Sequence, residues 1–364
     1  MTEPLSTRMP QPRGWHRRAL AFTLSLAACL GAESLARAET TADVAGPANA
    51  VLARLEERKA ALARAGAAVV GVHVRALEDA RSAATLGQRR AGSGVVIGAE
   101  GLVLTIGYLI LEADHDDLVD GNGRRVPARV VAYDLASGFG LLQALTPLPL
   151  EPAPLGVSAA IKGDEPLLIA SGGDDGDLSL ARMVSRRPFS GYWEYHIDGA
   201  LFTAPARTDH SGAGLFNAEG ELVGIGSLVV ADAVGNATMP LRGNMFVPVD
   251  LLKPILAEMR ASGMSRASVR PWLGLNCVEY GGHVRVIRLT PGSPAEDAGI
   301  EPGDLIIAID GTSVSDLASF YQALWRDSRA EREVALEVRR GAESRRLTVR
   351  SVDRMKTLSR PQGV

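Results

Sequence analysis

A single serine in a glycine-rich loop is the residue of this chain best suited to nucleophilic chemistry. Ser211 lies in the segment TDHSGAGLFNAEGELVGIGS, between His210 and Gly212. A serine hydroxyl is a poor nucleophile until a neighbouring base accepts its proton, and histidine suits that role because it titrates near neutral pH. Serine, glycine and aspartate are also common turn residues, so the loop alone does not establish an activity.

The overall composition is typical of a soluble globular protein with two or three domains. The chain has 364 residues, of which 46% are hydrophobic, 22% charged and 5% aromatic. The formal net charge is -3 at pH 7. There is no basic excess to hold nucleic acid or an anionic membrane, so we expect no nucleic-acid partner.

The first 38 residues predict a secretory signal peptide. An arginine pair precedes the apolar run ALAFTLSLAACLGA, and the small-residue motif ARA follows at residues 36–38. The run is too short to span a membrane comfortably. We therefore expect cleavage after Ala38 and a location in the periplasm or outside the cell. In the alternative interpretation, LAAC resembles a lipoprotein box and places a lipid on Cys29.

Metal and disulfide chemistry are not predicted. Cys29 falls in the predicted signal peptide, so Cys277 is alone in the predicted mature chain and is interpreted as a small apolar strand residue. The run GGDDGDL supplies three carboxylates, Asp174, Asp175 and Asp177, but no glutamate closes a calcium loop there. A solvated turn is the better interpretation, and no cofactor is expected.

The pattern of short strands and turns predicts a mainly β chain. The segment PVDLLKPILAEMRASG predicts a helix with Asp250 as its N-cap and Gly263 near its end. The boundaries that we assign are 1–38 for the signal peptide, 39–65 for a linker and helix, 66–263 for a β domain, 264–350 for a second domain and 351–364 for a frayed tail.

Several motifs resemble the HtrA/Do-like periplasmic serine proteases, and together they cover residues 66–350. The first domain carries GSGVVIGAEGLVLTIGYLI, VVAYDLASGFGLLQAL and the Ser211 segment, and the second carries PWLGL and TPGSPAEDAGIEPGDLIIAIDGTSVSDL. The resemblance implies a chymotrypsin-like double β-barrel, the trypsin-like protease fold, followed by a PDZ domain of α+β type.

The chain departs from this family at the catalytic positions. The resemblance places the nucleophile on Ser211, but Tyr108 stands at the histidine position and Gly138 at the aspartate position, four residues after Asp134. A phenol titrates near ~10 and stays protonated at neutral pH, so it cannot accept the serine proton. Gly138 has no side chain to orient a base. We therefore predict a degenerate and inactive triad.

The oxyanion hole is predicted to be altered as well. In this family it uses the backbone N–H groups of the serine and of the residue two positions earlier, here Ser211 and Asp209. A carboxylate in place of glycine brings negative charge beside a developing negative oxygen. His115 lies about 10 Å beyond Tyr108 if that segment is helical, and His210 diverges from Ser211 as its chain neighbour. The alternative is a low-activity serine endopeptidase that uses Ser211 with a non-standard base.

The resemblance to PDZ domains implies that the partners are peptides. These domains add a carboxy-terminal peptide as a strand to a sheet edge. A helix predicted from Asp316 to Trp325 faces that edge, with Arg270 as a further source of attraction. The residues assigned to peptide binding are Trp272, Leu273, Gly274 and Leu275 in the carboxylate loop, and Leu317 and Phe320 on the helix, which are equally compatible with a core role.

The expected function is therefore binding rather than catalysis. The sequence indicates a secreted pseudoprotease that recognises unfolded or carboxy-terminal segments, as a chaperone or regulatory adaptor in protein quality control. Homo-oligomers, or hetero-oligomers with HtrA-like relatives, are a further class of expected partner.

Overall fold

The computed structural model describes residues 45–173, 176–236 and 238–359. The predicted signal peptide, Cys29, Asp174 and Asp175 lie outside these residues. From Ala50 onward the chain forms one compact unit. Within the described ranges, no helix combines the length and the apolar character needed to cross a bilayer.

The first barrel is a closed antiparallel sheet in the order β1-β2-β3-β6-β5-β4. Alternate side chains of its strands point inward and fill it, among them Val72, Leu104 and Leu142, each 0% exposed. The elements are α1 (Ala45–Ala67), β1 (Val69–Ala76), α2 (Ala83–Leu86), β2 (Arg89–Gly98), β3 (Leu102–Ile106), α3 (Gly107–Ile110), β4 (Ala113–Val119), β5 (Arg125–Tyr133) and β6 (Phe139–Ala144).

The second barrel is also closed and antiparallel, in the order β10-β11-β12-β9-β8-β7. Its strands are β7 (Pro166–Ala170), β8 (Leu178–Gly191), β9 (Tyr195–Ala204), β10 (Gly214–Phe216), β11 (Leu222–Val230) and β12 (Gly243–Pro248). The predicted double β-barrel is thus confirmed.

The hairpin formed by β8 and β9 extends beyond its partners in the second barrel. β7 pairs with β8 only as far as Arg182, and β12 pairs with β9 only from Leu201 to Thr203. The two strands nevertheless stay paired with each other as far as Gly191 and Tyr195. The hairpin tip between these two residues is therefore positioned away from the barrel wall.

The helix after the second barrel is shorter than the sequence predicted. The chain forms a 3₁₀ turn, Val249–Leu251, before α4 begins, and α4 covers only Leu256–Ser262. Pro254 disfavours helical backbone in the residue before it. Asp250 does not cap α4, because its carboxylate accepts the Ala159 N–H at 2.8 Å. Gly263, with a φ of 81°, ends the helix as predicted.

The C-terminal domain is an antiparallel sheet covered by two helices. The sheet order is β14-β15-β16-β18-β19, with β17 on β16 and a separate β13-β20 pair. Asp316 caps α6 by accepting the Ser319 N–H at 2.7 Å. The elements are β13 (Pro271–Trp272), β14 (Leu275–Tyr280), β15 (His283–Leu289), α5 (Pro294–Asp297), β16 (Leu305–Ile309), β17 (Thr312–Ser313), α6 (Leu317–Leu324), β18 (Glu333–Arg340), β19 (Glu343–Arg350) and β20 (Val352–Asp353).

The described part of the predicted tail is structured rather than frayed. Val352 pairs with Trp272, and a 3₁₀ turn follows at Arg354–Lys356. The Asp353 carboxylate accepts the Met355 N–H at 3.0 Å, and the Met355 side chain is buried. Capping and apolar burial together hold this segment against the domain.

Candidate functional site

The fold brings Tyr108 and Ser211 into direct contact. α3 follows β3 and carries Tyr108 in its single turn, whereas Ser211 lies in the loop between β9 and β10. The phenol oxygen of Tyr108 lies 2.7 Å from Ser211 Oγ and 2.8 Å from the carbonyl oxygen of Ser227 on β11. The residues predicted at the nucleophile and base positions are therefore hydrogen-bonded neighbours.

The chemistry of this pair follows from the number of available protons. A phenol has one proton and the Ser227 carbonyl can only accept, so when Tyr108 donates to Ser227 the Ser211 hydroxyl donates to the phenol oxygen. Burial raises the pKa of Tyr108 to about 12, and the hydrogen bond with Ser211 offsets only part of that rise. At pH 7 about one molecule in 10⁵ then carries a phenolate. The Tyr108 phenol is therefore almost fully protonated at neutral pH.

Gly138 occupies a place that excludes a side chain. Its φ is 83°, and a Cβ atom there would lie 2.9 Å from the phenol oxygen of Tyr195. Tyr195 is held in place by donating to the Ser137 carbonyl at 2.6 Å. The Gly138 carbonyl accepts the Gly107 N–H at 2.7 Å, directly before Tyr108. Packed backbone and a phenol ring thus fill the position that the resemblance assigns to a catalytic aspartate.

Asp134 serves as a structural anchor. Its fully buried carboxylate accepts the Ser137 hydroxyl at 2.6 Å, the Ser268 hydroxyl at 2.6 Å and the Ser265 N–H at 3.0 Å. Burial alone would raise the pKa of this carboxyl, but the hydrogen bonds outweigh burial and hold the pKa below its usual value. The carboxylate therefore joins the first barrel to the segment that leads into the C-terminal domain.

Asp209 is engaged in an ion pair beside the serine loop. Arg207 Nε donates to Asp209 Oδ1 at 2.8 Å, and a second guanidinium nitrogen and the Ser171 hydroxyl donate to Oδ2. Burial raises the pKa of Asp209, but these donors outweigh it and hold the pKa below the usual range. Arg207 therefore offsets part of the negative charge that the sequence predicted beside an oxyanion.

Among the described histidines, none is hydrogen-bonded to Ser211. The His210 ring lies 3.2 Å from the Arg207 carbonyl oxygen through Nδ1, and burial lowers the pKa of the ring. His115 lies on the strand β4, opposite Arg75, and not on a helix. Neither the His115 ring nor the His210 ring is hydrogen-bonded to the Ser211 hydroxyl.

The predicted carboxylate loop of the C-terminal domain binds a carboxylate from within the chain. The N–H groups of Leu273, Gly274 and Leu275 donate to the side chain of Glu194 at 3.1, 2.7 and 2.7 Å. Gly274, with a φ of 85°, lets these successive N–H groups converge on one anion. Glu194, at the tip of the β8-β9 hairpin, is 3% exposed. Burial raises the pKa of Glu194, although the N–H donors oppose the rise.

The predicted pocket residues on α6 belong to the domain core. Leu317 and Phe320 are 6% and 0% exposed and pack among the buried apolar side chains. Tyr321 is the α6 residue that contacts the hairpin. Its hydroxyl donates to the Gly191 carbonyl at 2.7 Å and accepts the Glu194 N–H at 3.2 Å.

Arg270 is buried between the two parts of the molecule. Its guanidinium stacks 3.6 Å from the ring centre of Trp325. The same group donates to the carbonyl oxygens of Leu135 at 3.3 Å and Glu194 at 3.4 Å. Burial lowers the pKa of Arg270 to about 10, which leaves the side chain charged at neutral pH. It therefore contacts the backbone of the hairpin tip.

Comparison with known families identifies both parts of the chain. Residues 92–225 match the family described as Trypsin-like peptidase domain, and residues 271–350 match the PDZ domain. The chain therefore contains a trypsin-like peptidase domain followed by a PDZ domain. Its homologues are HtrA/DegP/Do-like serine proteases.

Two curated relatives illustrate the likeness. The chain is 28% identical over 309 residues to the Putative protease Do-like 14 of Arabidopsis thaliana, with 74% of this chain and 67% of that protein covered. It is 28% identical over 243 residues to the Periplasmic serine endoprotease DegP of Salmonella typhimurium, with 63% of this chain covered. That match spans 50% of the length of DegP.

Solved structures share the fold. The HtrA-type protease AlgW with tripeptide gives a TM-score of 0.51 at 21% identity, covering 81% of this chain and 96% of that one. The serine endoprotease from Yersinia pestis gives a TM-score of 0.50 at 22% identity, covering 81% and 97%. The comparison shows that this chain shares its fold with these proteins.

Sequence reasoning missed three residues that shape the two sites. Glu194 and Tyr321 connect the hairpin to the PDZ domain, and Tyr195 closes the space at Gly138. One signal was present in the segment GYWEY, where a three-residue hairpin loop carries a glutamate at the position that normally takes glycine.

Proposed function

We propose that this chain is an HtrA-like pseudoprotease that binds unfolded or carboxy-terminal peptide segments. The observation that carries the proposal is the contact between Ser211 and Tyr108, in which the serine faces a phenol with a raised pKa instead of an imidazole. A chaperone or regulatory adaptor in protein quality control is the role that fits such a protein.

The packing around Gly138 supports the same proposal. A side chain there would meet the Tyr195 hydroxyl, so an orienting carboxylate has no space in this packing. Loss of the serine or the histidine from a triad lowers turnover by roughly 10⁶, or about 8 kcal/mol of barrier. A serine without either partner is therefore proposed to be inert towards peptide bonds.

The PDZ domain supports peptide binding as the retained activity. Such domains bind carboxy-termini by strand addition, and the loop Trp272–Leu275 presents converging N–H donors. The proposed location is the periplasm or the extracellular space, because DegP is named as periplasmic and the first 38 residues predict a signal peptide. Lipid attachment at Cys29 is the alternative anchor, and HtrA-like relatives are proposed oligomeric partners.

Incubation with unfolded casein tests the lack of catalysis. We expect the chain from Glu39 onward to leave casein uncut under conditions in which an active HtrA protease digests it. The Ser211→Ala variant should behave identically. Cleavage that disappears in Ser211→Ala would reject the proposal.

The low-activity endopeptidase is the second candidate, because Ser211 is retained and partly exposed. A fluorophosphonate probe decides between the two, since only an activated serine reacts well with it. We expect no labelling, with an active HtrA protease as the positive control. Labelling that depends on Ser211 would establish the endopeptidase instead.

A further inference from the structure

The tip of the β8-β9 hairpin occupies the place where a PDZ domain receives a peptide. The Glu194 carboxylate lies 2.7 Å from both the Gly274 and the Leu275 nitrogens. These N–H groups belong to the loop that, in PDZ domains, binds the terminal carboxylate of a peptide. Chemically, a glutamate side chain and a chain terminus present the same group to that loop.

The backbone of the tip also contacts the adjacent strand as an added peptide would. The Tyr192 carbonyl accepts the Cys277 N–H on β14 at 2.9 Å. Tyr192 and Glu194 are two residues apart, and so are their partners Cys277 and Leu275. A spacing of two on both chains is the repeat of a β-strand pair. One backbone hydrogen bond and one side-chain carboxylate contact therefore match the spacing in which a carboxy-terminal peptide would lie along β14.

Helix α6 closes the third side of this groove. The Tyr321 hydroxyl lies 2.7 Å from the Gly191 carbonyl oxygen and 3.2 Å from the Glu194 nitrogen. Tyr321 thus binds the hairpin tip at both ends. The tip therefore contacts all three elements that form a peptide groove: the carboxylate loop, β14 and α6.

The backbone at Glu194 is an independent observation. Its φ is 58°, in the left-handed region. A non-glycine residue held in this region costs about 1 to 2 kcal/mol, so glycine would fit the turn better. Such strain persists where surrounding contacts over-determine it. The carboxylate contacts supply that compensation, because glycine would relieve the strain but lose all of them.

We propose that the Glu194 side chain is the resident ligand of the carboxylate loop, and that a carboxy-terminal peptide binds the PDZ groove only by displacing the hairpin tip Gly191–Tyr195. The inference deepens the proposed function, because it rests on peptide binding by this groove. It names the chain's own hairpin as the competing partner.

Peptide binding by the full mature chain provides the first measurement. The probe is a pool of fluorescein-labelled decapeptides with randomised last four residues and a free carboxylate, compared with the same pool amidated at the C-terminus. Glu194→Gly removes the carboxylate while relieving the strained φ, so the hairpin should still form. We expect it to bind the free-carboxylate pool at least tenfold more tightly than the wild type does, with no gain for the amidated pool.

Hydrogen exchange at residues 273–275 provides a second measurement that needs no peptide. We expect slow exchange in the wild type and exchange at least tenfold faster in Glu194→Gly. Glu194→Gln keeps the size and one acceptor oxygen and should give an intermediate rate. Asp198→Asn is the matched control, because it removes a charge from an exposed position on the same hairpin. It should match the wild type.

The two measurements separate this inference from the proposed function. Faster exchange in Glu194→Gly with no peptide bound by any variant would uphold the internal ligand and reject peptide binding. Equal exchange rates and equal peptide affinities in wild type and Glu194→Gly would overturn the internal ligand. Peptide binding could still be real in that case.

Discussion

The serine loop and the PDZ groove depart from an active HtrA protease in different ways. At the serine loop, Ser211 is hydrogen-bonded to a phenol, and we propose that it is therefore not activated. At the groove, the donors are present and correctly aimed, but Glu194 already accepts their hydrogen bonds. In the proposed function, the serine loop lacks an activating base, whereas the PDZ groove keeps its N–H donors but has them occupied by Glu194.

The two regions therefore differ in how easily each could recover its activity, peptide binding at the groove and catalysis at the serine loop. A filled groove becomes available when its occupant leaves, and the cost is the free energy of a few hydrogen bonds, about 1 kcal/mol each. The serine loop has no occupant to lose, because Tyr108 and Tyr195 are packed parts of the fold. Three predictions test this contrast, from the largest expected effect to the smallest.

Rebuilding the triad should cost stability without producing activity. We expect the double variant Tyr108→His, Gly138→Asp to lose about 3 kcal/mol of unfolding free energy, because residue 138 has a positive φ and a new Cβ would overlap Tyr195. Urea unfolding measures the loss, and casein digestion should stay absent.

The two single variants show how much of the lost unfolding free energy comes from each position. Gly138→Ala should retain most of the loss, because the overlap and the backbone strain begin at Cβ. Tyr108→His alone should lose less. Casein cleavage by the double variant would show that the serine loop, like the groove, is only one step from function.

Asp116 and Glu194 are both buried carboxyl groups with raised pKa values, but they differ in their hydrogen-bond donors. Asp116, in the first barrel, is 6% exposed, and its Oδ1 has no hydrogen-bond partner among the described residues. Burial, with the charges of Asp117 and Asp114, raises the pKa of Asp116 to about 7. Glu194, by contrast, has three N–H donors.

The sign of the pH dependence follows from this shift. The folded state keeps a proton on Asp116 that the unfolded state releases at about pH 4, so stability should fall as pH rises from about 4 to 7 and then level off. Asp116→Asn should remove this dependence. The shift of about three pKa units corresponds to about 4 kcal/mol, and because the buried asparagine amide keeps part of the desolvation cost, we expect a gain of about 2 kcal/mol of unfolding free energy at pH 8. Denaturant titrations at several pH values, with Asp198→Asn as control, measure it. An unchanged pH profile in Asp116→Asn would contradict the assignment.

A matched pair of tyrosine variants gives the smallest effect. Tyr108→Phe and Tyr321→Phe each remove one hydroxyl with two partners, and each should cost about 1 kcal/mol of stability. Only Tyr321→Phe should speed exchange at residues 273–275 and strengthen binding of free-carboxylate peptides, by a few fold. If Tyr108→Phe had the same effect on peptide binding, the two regions would be coupled rather than distinct.

Much of the framework could be predicted from local patterns in the sequence. The hairpin GSGVVIGAEGLVLTIG forms β2 and β3, with Gly101 at a φ of 82° in the turn. Asp316 caps α6 as helix signals indicate. These features depend on residues close together in the chain, where turn and capping chemistry are readable.

The errors arose where a local signal met a competing constraint. Asp250 looked like a cap, but Pro254 delayed the helix and left the carboxylate to Ala159. The tail was predicted to be frayed, but the Met355 side chain is buried. A proline constraint in the first case and side-chain burial in the second decided the outcome against the local pattern.

The occupied groove could not be predicted from sequence. The bond between Glu194 and Gly274 joins residues 80 positions apart. It depends on the length of the β8-β9 hairpin of the second barrel and on the position at which the PDZ domain begins. No residue pattern near Glu194 or near Gly274 predicts this contact.

The hairpin's attachment has a quantitative consequence for any peptide that competes for the groove. A tethered ligand is present at a fixed effective concentration, in the millimolar range for short connections, regardless of how much protein is present. The apparent affinity of the groove for peptides is then the intrinsic affinity multiplied by the fraction of molecules whose hairpin is undocked. Peptide occupancy of the PDZ groove would stay low until free carboxy-termini are abundant. The β8-β9 hairpin from Ser185 to Ala200 would thereby set the peptide concentration at which binding begins.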